Sequence, residues 1–96
     1  MEFTIKNNTD NLRFELKVAS ETAFLEYRFY KDSIALMHTV VPLELEGNGI
    51  GSALAHYAFE YAKENQFPVM VYCSFVANFL KKHPEYIEQL DKHYHK

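Results

Sequence analysis

A single cysteine, three glycines, three prolines and no tryptophan leave this 96-residue chain short of several structural devices. One thiol, Cys73, excludes an internal disulfide framework and fits a reducing compartment. No apolar run approaches the ~20 residues that a bilayer-crossing helix needs. The segment Met1 to Lys6 also lacks the basic start and apolar block of a secretory leader. These absences lead to the expectation of a cytoplasmic protein with no membrane partner. Clustered positive charge is missing too. Ten Lys and Arg stand against thirteen Asp and Glu, and Lys81-Lys82 is the only adjacent basic pair. A nucleic-acid-binding face needs concentrated cations, so no nucleic-acid partner is expected. What is abundant is apolar and aromatic. Seven Tyr and eight Phe supply enough bulk for one domain, residues 1–96, with a filled core.

Period-two alternation runs through the first 41 residues. Phe3 and Ile5 read as a short first strand, and Asn7 to Asn11 as the turn that follows. Phe14, Leu16 and Val18 alternate with Arg13, Glu15 and Lys17, as in a half-exposed strand. Ala23, Leu25, Tyr27 and Phe29 form a third inward series. Ile34 to Val41 is apolar on both faces apart from His38 and Thr39, which predicts a central strand. Short connections make these four an antiparallel meander.

Past Gly51 the period changes. Ile50, Leu54, Tyr57, Ala58, Tyr61 and Ala62 fall at helical spacing, opposite His56, Glu60, Lys63 and Glu64. Val69 to Cys73 reads as a fifth strand. Phe75, Phe79 and Leu80 suggest a second helix, stopped by His83-Pro84. Pro84 to about His93 suggests a third, with Ile87 and Leu90 inward. A strand–helix–strand crossover is right-handed, so strands four and five should be parallel. The fold class expected is α+β.

All three glycines fall within Glu46-Gly47-Asn48-Gly49-Ile50-Gly51-Ser52, between strand four and the long helix. Glycine costs backbone entropy, so this concentration implies a local geometric demand. Free N–H groups and the positive dipole end of a starting helix suit an anion, most simply a phosphate. A plain tight turn before a helix is the alternative. Two other phosphate loops are excluded on specifics. The Walker loop needs a lysine directly after its last glycine, and the dinucleotide fingerprint needs wider spacing within a parallel unit.

The run Glu46 to Gly51 resembles the pyrophosphate loop of the Gcn5-related N-acetyltransferase (GNAT) superfamily, Gln/Arg-x-x-Gly-x-Gly/Ala between a strand and a helix. His38-Thr39-Val40-Val41-Pro42, Tyr72-Cys73-Ser74-Phe75 and Lys82-His83-Pro84-Glu85-Tyr86 are similar to a small, one-domain subfamily of acetyl-CoA-binding proteins. The resemblance covers residues 34–86 by motif and 1–33 by strand pattern alone. It implies a GNAT-like fold with acetyl-CoA as cofactor. Backbone amides of Gly47, Asn48, Gly49, Ile50, Gly51 and Ser52 would hold the diphosphate. The strand edge at Thr39, Val40 and Val41 would pair with the pantetheine arm, and the thioester would lie towards Cys73. The implied activity is acetyl transfer to an unidentified amine or protein acceptor. A non-catalytic acyl-CoA-binding module and a small protein-interaction domain are the alternatives.

The chain departs from the family pattern in three places. Glu46 stands where Gln or Arg is usual. Setting Ala77 on the alanine of Asn-x-x-Ala-x-x-x-Tyr puts Ser74 and Lys81 at the polar positions, so the usual tyrosine acid is missing and Tyr86 would have to arrive by another route. Counterparts of the N-terminal helices that shape the acceptor pocket are not apparent. Cys73 is either an acetyl-accepting nucleophile or a small buried filler. His38 is either a general base or a satisfied sheet histidine. His83, His93 and His95 form no preorganised metal set, and no metal is expected. Lys81 and Lys82 either attract the 3′-phosphate of CoA or form an exposed helix face. Oligomeric state stays open.

Overall fold

Alternation in the first half and helical spacing in the second produce a sheet with helices on one face. The computed structural model describes residues 3–95. Its elements are β1 (Lys6–Asn8), β2 (Arg13–Val18), β3 (Glu21–Tyr30), β4 (Ser33–Val40), α1 (Ile50–Glu64), β5 (Val69–Val71) and α2 (Ser74–Lys82). Short 3-10 segments at Leu43–Leu45 and Pro84–Gln89 complete the order. The five strands lie side by side in sequence order. The first four are antiparallel, and β5 runs parallel to β4. The expected α+β arrangement is therefore present.

One face of the sheet supplies Phe14, Leu16, Leu25, Tyr27, Ile34 and Leu36 to a core closed by α1 and α2. Ala55, Ala58 and Ala62 are fully buried on α1, and side chains this small let the helix lie close on the strands. Phe14 stacks on Tyr27 at 4.6 Å between ring centroids and meets Tyr57 and Tyr61 edge-on. The Tyr27 hydroxyl donates to Asn7 Oδ1 at 2.7 Å, so its buried ring leaves no polar atom unpaired.

Several details differ from the sequence reading. Phe3 and Ile5 pack against the core without joining the ladder, and pairing begins at Lys6 instead. Asn8 explains the shift: its Oδ1 accepts from Asn11 N–H and its Nδ2 donates to Glu15, so the turn moves to residues 9–12. Glu15 is only 6% exposed rather than solvated. Burial would raise its pKa, but hydrogen bonds from Arg13 and Asn8 and the Arg13 charge prevail and hold it below the usual value. Val18 and Phe29 are exposed, because each lies near the end of its strand, beyond the helical cover. Residues after Pro84 form a 3-10 helix to Gln89, not an α-helix to His93. Its tighter period turns Tyr86 inward, at 6% exposure, and leaves Ile87 at 50%. The helix stops where Leu90 becomes extended, bridges Val69, and passes the Asp91 N–H to Val69 O at 2.8 Å.

β4 is central only over its first half. It pairs with β5 at Ile34, Ala35 and Leu36, and the last bond on that side runs from Tyr72 N–H to Leu36 O. On the other side Leu36 faces Tyr27 while His38 faces Glu26, so Met37 is the extra residue of a bulge. A bulge bends and twists the strand that carries it, and here it coincides with the point where β5 stops pairing.

The closeness of α1 to the sheet gives a stability test. Ala58→Leu should lower the unfolding free energy by about 1–3 kcal/mol through overpacking, as read by urea denaturation. A change at exposed Glu64 should stay within about 0.5 kcal/mol.

Candidate functional site

Beyond Leu36 no strand lies on the β5 side of β4 among the described residues, so Thr39 to Val41 present a free edge. Pro42 then turns the chain into the Leu43–Leu45 segment, where Leu45 N–H bonds Pro42 O and the Leu45 side chain plugs into the core. The Asn48 side-chain amide ties the loop from inside, donating to Leu45 O at 3.0 Å and Glu46 O at 3.4 Å. Gly47 and Gly49 lie at φ +83° and +76°, a left-handed region that costs side-chain-bearing residues energy. A Cβ on either would project into open space.

Gly49 is the N-cap of α1 and offers no side-chain cap. The first amide with a helical acceptor is Ala53, bonded to Gly49 O. The N–H groups of Ile50, Gly51 and Ser52 therefore have no intrahelical acceptor. They border a cleft of about 630 Å³ whose other walls are Thr39, Val40, Val41, Leu45, Glu46 and Phe75. Glu46 is its one charged residue. The cleft offers an anion backbone amides and the α1 dipole, without any cationic side chain.

Gly51 has a different reason to be glycine. Its φ is ordinary for a helix, but a Cβ there would sit 2.6 Å from Cζ of Phe75. In the sequence Phe75 serves, with Phe79 and Leu80, to mark the second helix. In the structure Phe75 is 41% exposed and lines the cleft, and its ring rests against the first turn of α1. The available signal was a glycine inside a helical pattern, which suggests close approach of a neighbour.

Cys73 is the N-cap of α2, 7% exposed, with its Sγ 3.3 Å from Thr39 Oγ1. That contact spans the gap between the parted strands on the helical face of the sheet. Thr39 pairs in register with core residue Leu25, whereas His38 pairs with Glu26 on the opposite face. The structure thus brings Cys73 to Thr39, which lines the cleft, while Cys73 itself lies outside that lining, as does His38, exposed on the other face of the sheet. Asn48 also lies outside that lining, its side chain engaged within the loop.

Tyr86 does not reach the cleft. Its hydroxyl donates to Glu60 Oε2 at 2.9 Å and lies 2.8 Å from His56 Nδ1. A phenol has one proton to give, so His56 donates from Nδ1 and the three side chains fasten the 3-10 helix to α1. Burial, then the Glu60 hydrogen bond and charge, push the Tyr86 pKa up to about 12. His95 is engaged elsewhere, its Nε2 accepting Val71 N–H at 2.9 Å along the outer edge of β5. Among the described residues, no group of three or more His, Cys, Asp or Glu is placed to hold a metal ion. Lys81 and Lys82 are exposed in the last turn of α2.

A five-stranded mixed sheet that parts where a glycine loop starts a long helix defines a GNAT-like α+β protein. The family model described as GCN5-related N-acetyl-transferase matches residues 13–90. The chain belongs to the GCN5-related N-acetyltransferase family, whose members in general transfer acetyl groups from acetyl-CoA. No helix among the described residues is long and apolar enough to cross a membrane.

The fastening by Tyr86 can be tested by substitution. Tyr86→Phe should destabilise the fold by about 1 kcal/mol through the lost hydrogen bonds, as read by urea denaturation. Its pH dependence has a defined sign. The folded pKa of about 12 exceeds the ordinary tyrosine value of 10.0, so this stabilisation is present below pH 10 and is lost as pH rises through 12. Unfolding curves across that window should fall more steeply for the wild type than for Tyr86→Phe.

Proposed function

We propose that this protein binds acetyl-CoA along the cleft and passes its acetyl group to an amine acceptor. The observation that supports this most is the set of unpaired amides at Ile50, Gly51 and Ser52, opening beside a strand edge that has no partner. The residues fit the cofactor. Left-handed Gly47 and Gly49 leave the approach to the amides free of side chains, and a Cβ at Gly49, which lines the cleft, would meet no other atom within 4 Å. The N–H and C=O groups at Thr39 to Val41 suit the amides of a pantetheine arm, which would add to β4 as a strand does. When bound, the cofactor supplies an activated thioester.

The chain's own residues then orient and accept. Thr39 Oγ1 holds Cys73 Sγ beside the gap where the thioester carbonyl would lie. In a covalent route Cys73 takes the acetyl group, and its thiol proton passes to the departing CoA sulfur. In a direct route the amine attacks the carbonyl, the C–S bond breaks with CoA leaving as its thiolate, and the proton lost by the amine goes to a base, for which His38 is the candidate on the open sheet face.

A second reading is a non-catalytic acyl-CoA-binding module. It is favoured by the engagement of Tyr86 with Glu60 and His56, which leaves the cleft without a tyrosine acid.

Titration calorimetry decides the shared premise. Acetyl-CoA should bind the wild type, and Gly49→Val should weaken binding by at least about tenfold, since the branched side chain would occupy the amide seat. Absence of wild-type binding would sink the proposal. Glu46→Gln should tighten binding by roughly two- to fivefold by removing a like charge from the cleft. Release of free CoA with a panel of amines then separates enzyme from binder. Mass spectrometry tests the covalent route, which requires one acetyl group on Cys73.

A further inference from the structure

α2 is nine residues long, and its inward side chains are Val76, Phe79 and Leu80. Phe75 points elsewhere. The residue is 41% exposed, so burial in the core does not hold it. The ring tip rests end-on against α1 instead: Cζ, Cε1 and Cε2 lie 2.6, 3.0 and 3.1 Å from the position a Gly51 Cβ would take. No side chain larger than hydrogen fits under it. Gly51 has no backbone reason to be glycine, and glycine weakens a helix. The ring is the feature of the structure that accounts for it.

The contact links two parts of the cleft. On one side are the unpaired amides of Ile50, Gly51 and Ser52. On the other is the first turn of α2, whose N-cap is Cys73, two residues before Phe75. The Cys73 thiol meets Thr39 on the free strand edge. The Phe75 ring is thus the contact through which a shift in the first turn of α1 would reach the backbone that carries the thiol.

We infer that Phe75 is a positioning residue: seated on Gly51, it couples the anion seat at the start of α1 to the placement of Cys73 against Thr39. The anion-seat half of this rests on the acetyl-CoA reading above, while the ring contact itself does not.

Cys73 is the one cysteine in the chain, so its alkylation by iodoacetamide reports on that position alone. In ligand-free protein, Phe75→Ala should speed alkylation at least about fivefold over the wild type, because the first turn of α2, which carries the thiol, loses its contact with α1. Gly51→Ala should also speed it, by pushing the ring away. The decisive variant is the double one. Gly51→Ala in a Phe75→Ala background should change the rate by less than about 1.5-fold, since no ring is left to displace. Independent, multiplying effects would overturn the coupling. Where melting curves show Phe75→Ala unfolded, Phe75→Leu replaces it with the same non-additivity required.

A second arm uses 3′-phosphoadenosine 5′-diphosphate, which carries the diphosphate but no arm to cover the thiol. Saturation with it should alter wild-type alkylation at least about twofold and leave Phe75→Ala unaffected. Equal response in both proteins, or no response in a wild type that binds the compound, overturns the coupling. Failure of both this compound and acetyl-CoA to bind defeats the acetyl-CoA reading, and with it the anion-seat half of the inference. The ligand-free series then decides the ring contact independently.

Discussion

The parting of β4 from β5 after Leu36 is the constraint on which the rest of the site depends. Up to that residue β4 is bonded on both sides, and its inward side chains are sealed under α1 and α2. One extra residue, Met37, then shifts the register against β3 just where β5 stops pairing. Closing the gap would need β5 to continue as a strand. It does not, because Cys73 becomes the N-cap of α2 and the chain leaves the sheet. A strand edge with free polar groups is normally a liability. Here it faces a cleft that ends in three unpaired amides, and under the proposed function one ligand, with an amide-bearing arm and an anionic end, would meet both features.

The loop that joins these features is built with little material. Leu45 anchors it in the core, Asn48 ties its carbonyls internally, and two left-handed glycines let it turn while keeping side chains off the helix start. The third glycine solves a separate problem of packing. A single motif read from spacing thus contains two physical demands, one of backbone conformation and one of volume.

Much of this was legible in the residues. Alternation gave the four antiparallel strands, helical spacing gave α1, and crossover handedness gave the parallel pair. What escaped depends on contacts that no local pattern encodes. Asn8 draws β1 forward by bonding Glu15 seven residues away. The 3-10 period after Pro84 exchanges Tyr86 for Ile87 as the inward residue, because Tyr86 finds Glu60 and His56 on α1. The bulge at Met37 sits within an apolar run that reads as uninterrupted. At the site, loop residues were identifiable by type and spacing, and Phe75 was not, since its role comes from the missing side chain of Gly51. His38 and Thr39 are neighbours in sequence but face opposite sides of the sheet, a distinction set by register with β3.

That opposition bears on how chemistry could proceed. Thr39, which lines the cleft, and its partner Cys73 belong to the helical face, whereas His38 belongs to the open face with Glu26. Any acceptor attended by His38 must approach from the open face and meet the thioester through the gap between β4 and β5. An acetyl group taken first by Cys73 would be held on the helical side by the Thr39 contact and would still have to pass that gap to reach an amine. The two routes therefore share one passage and differ in which face holds the reactive group. A cleft without cationic side chains adds a consequence for the cofactor. Its diphosphate would be met by amides and a helix dipole, interactions that fade beyond the first helical turn. Affinity in this protein then depends on how rigidly the first turn of α1 is held, and so on what packs against it.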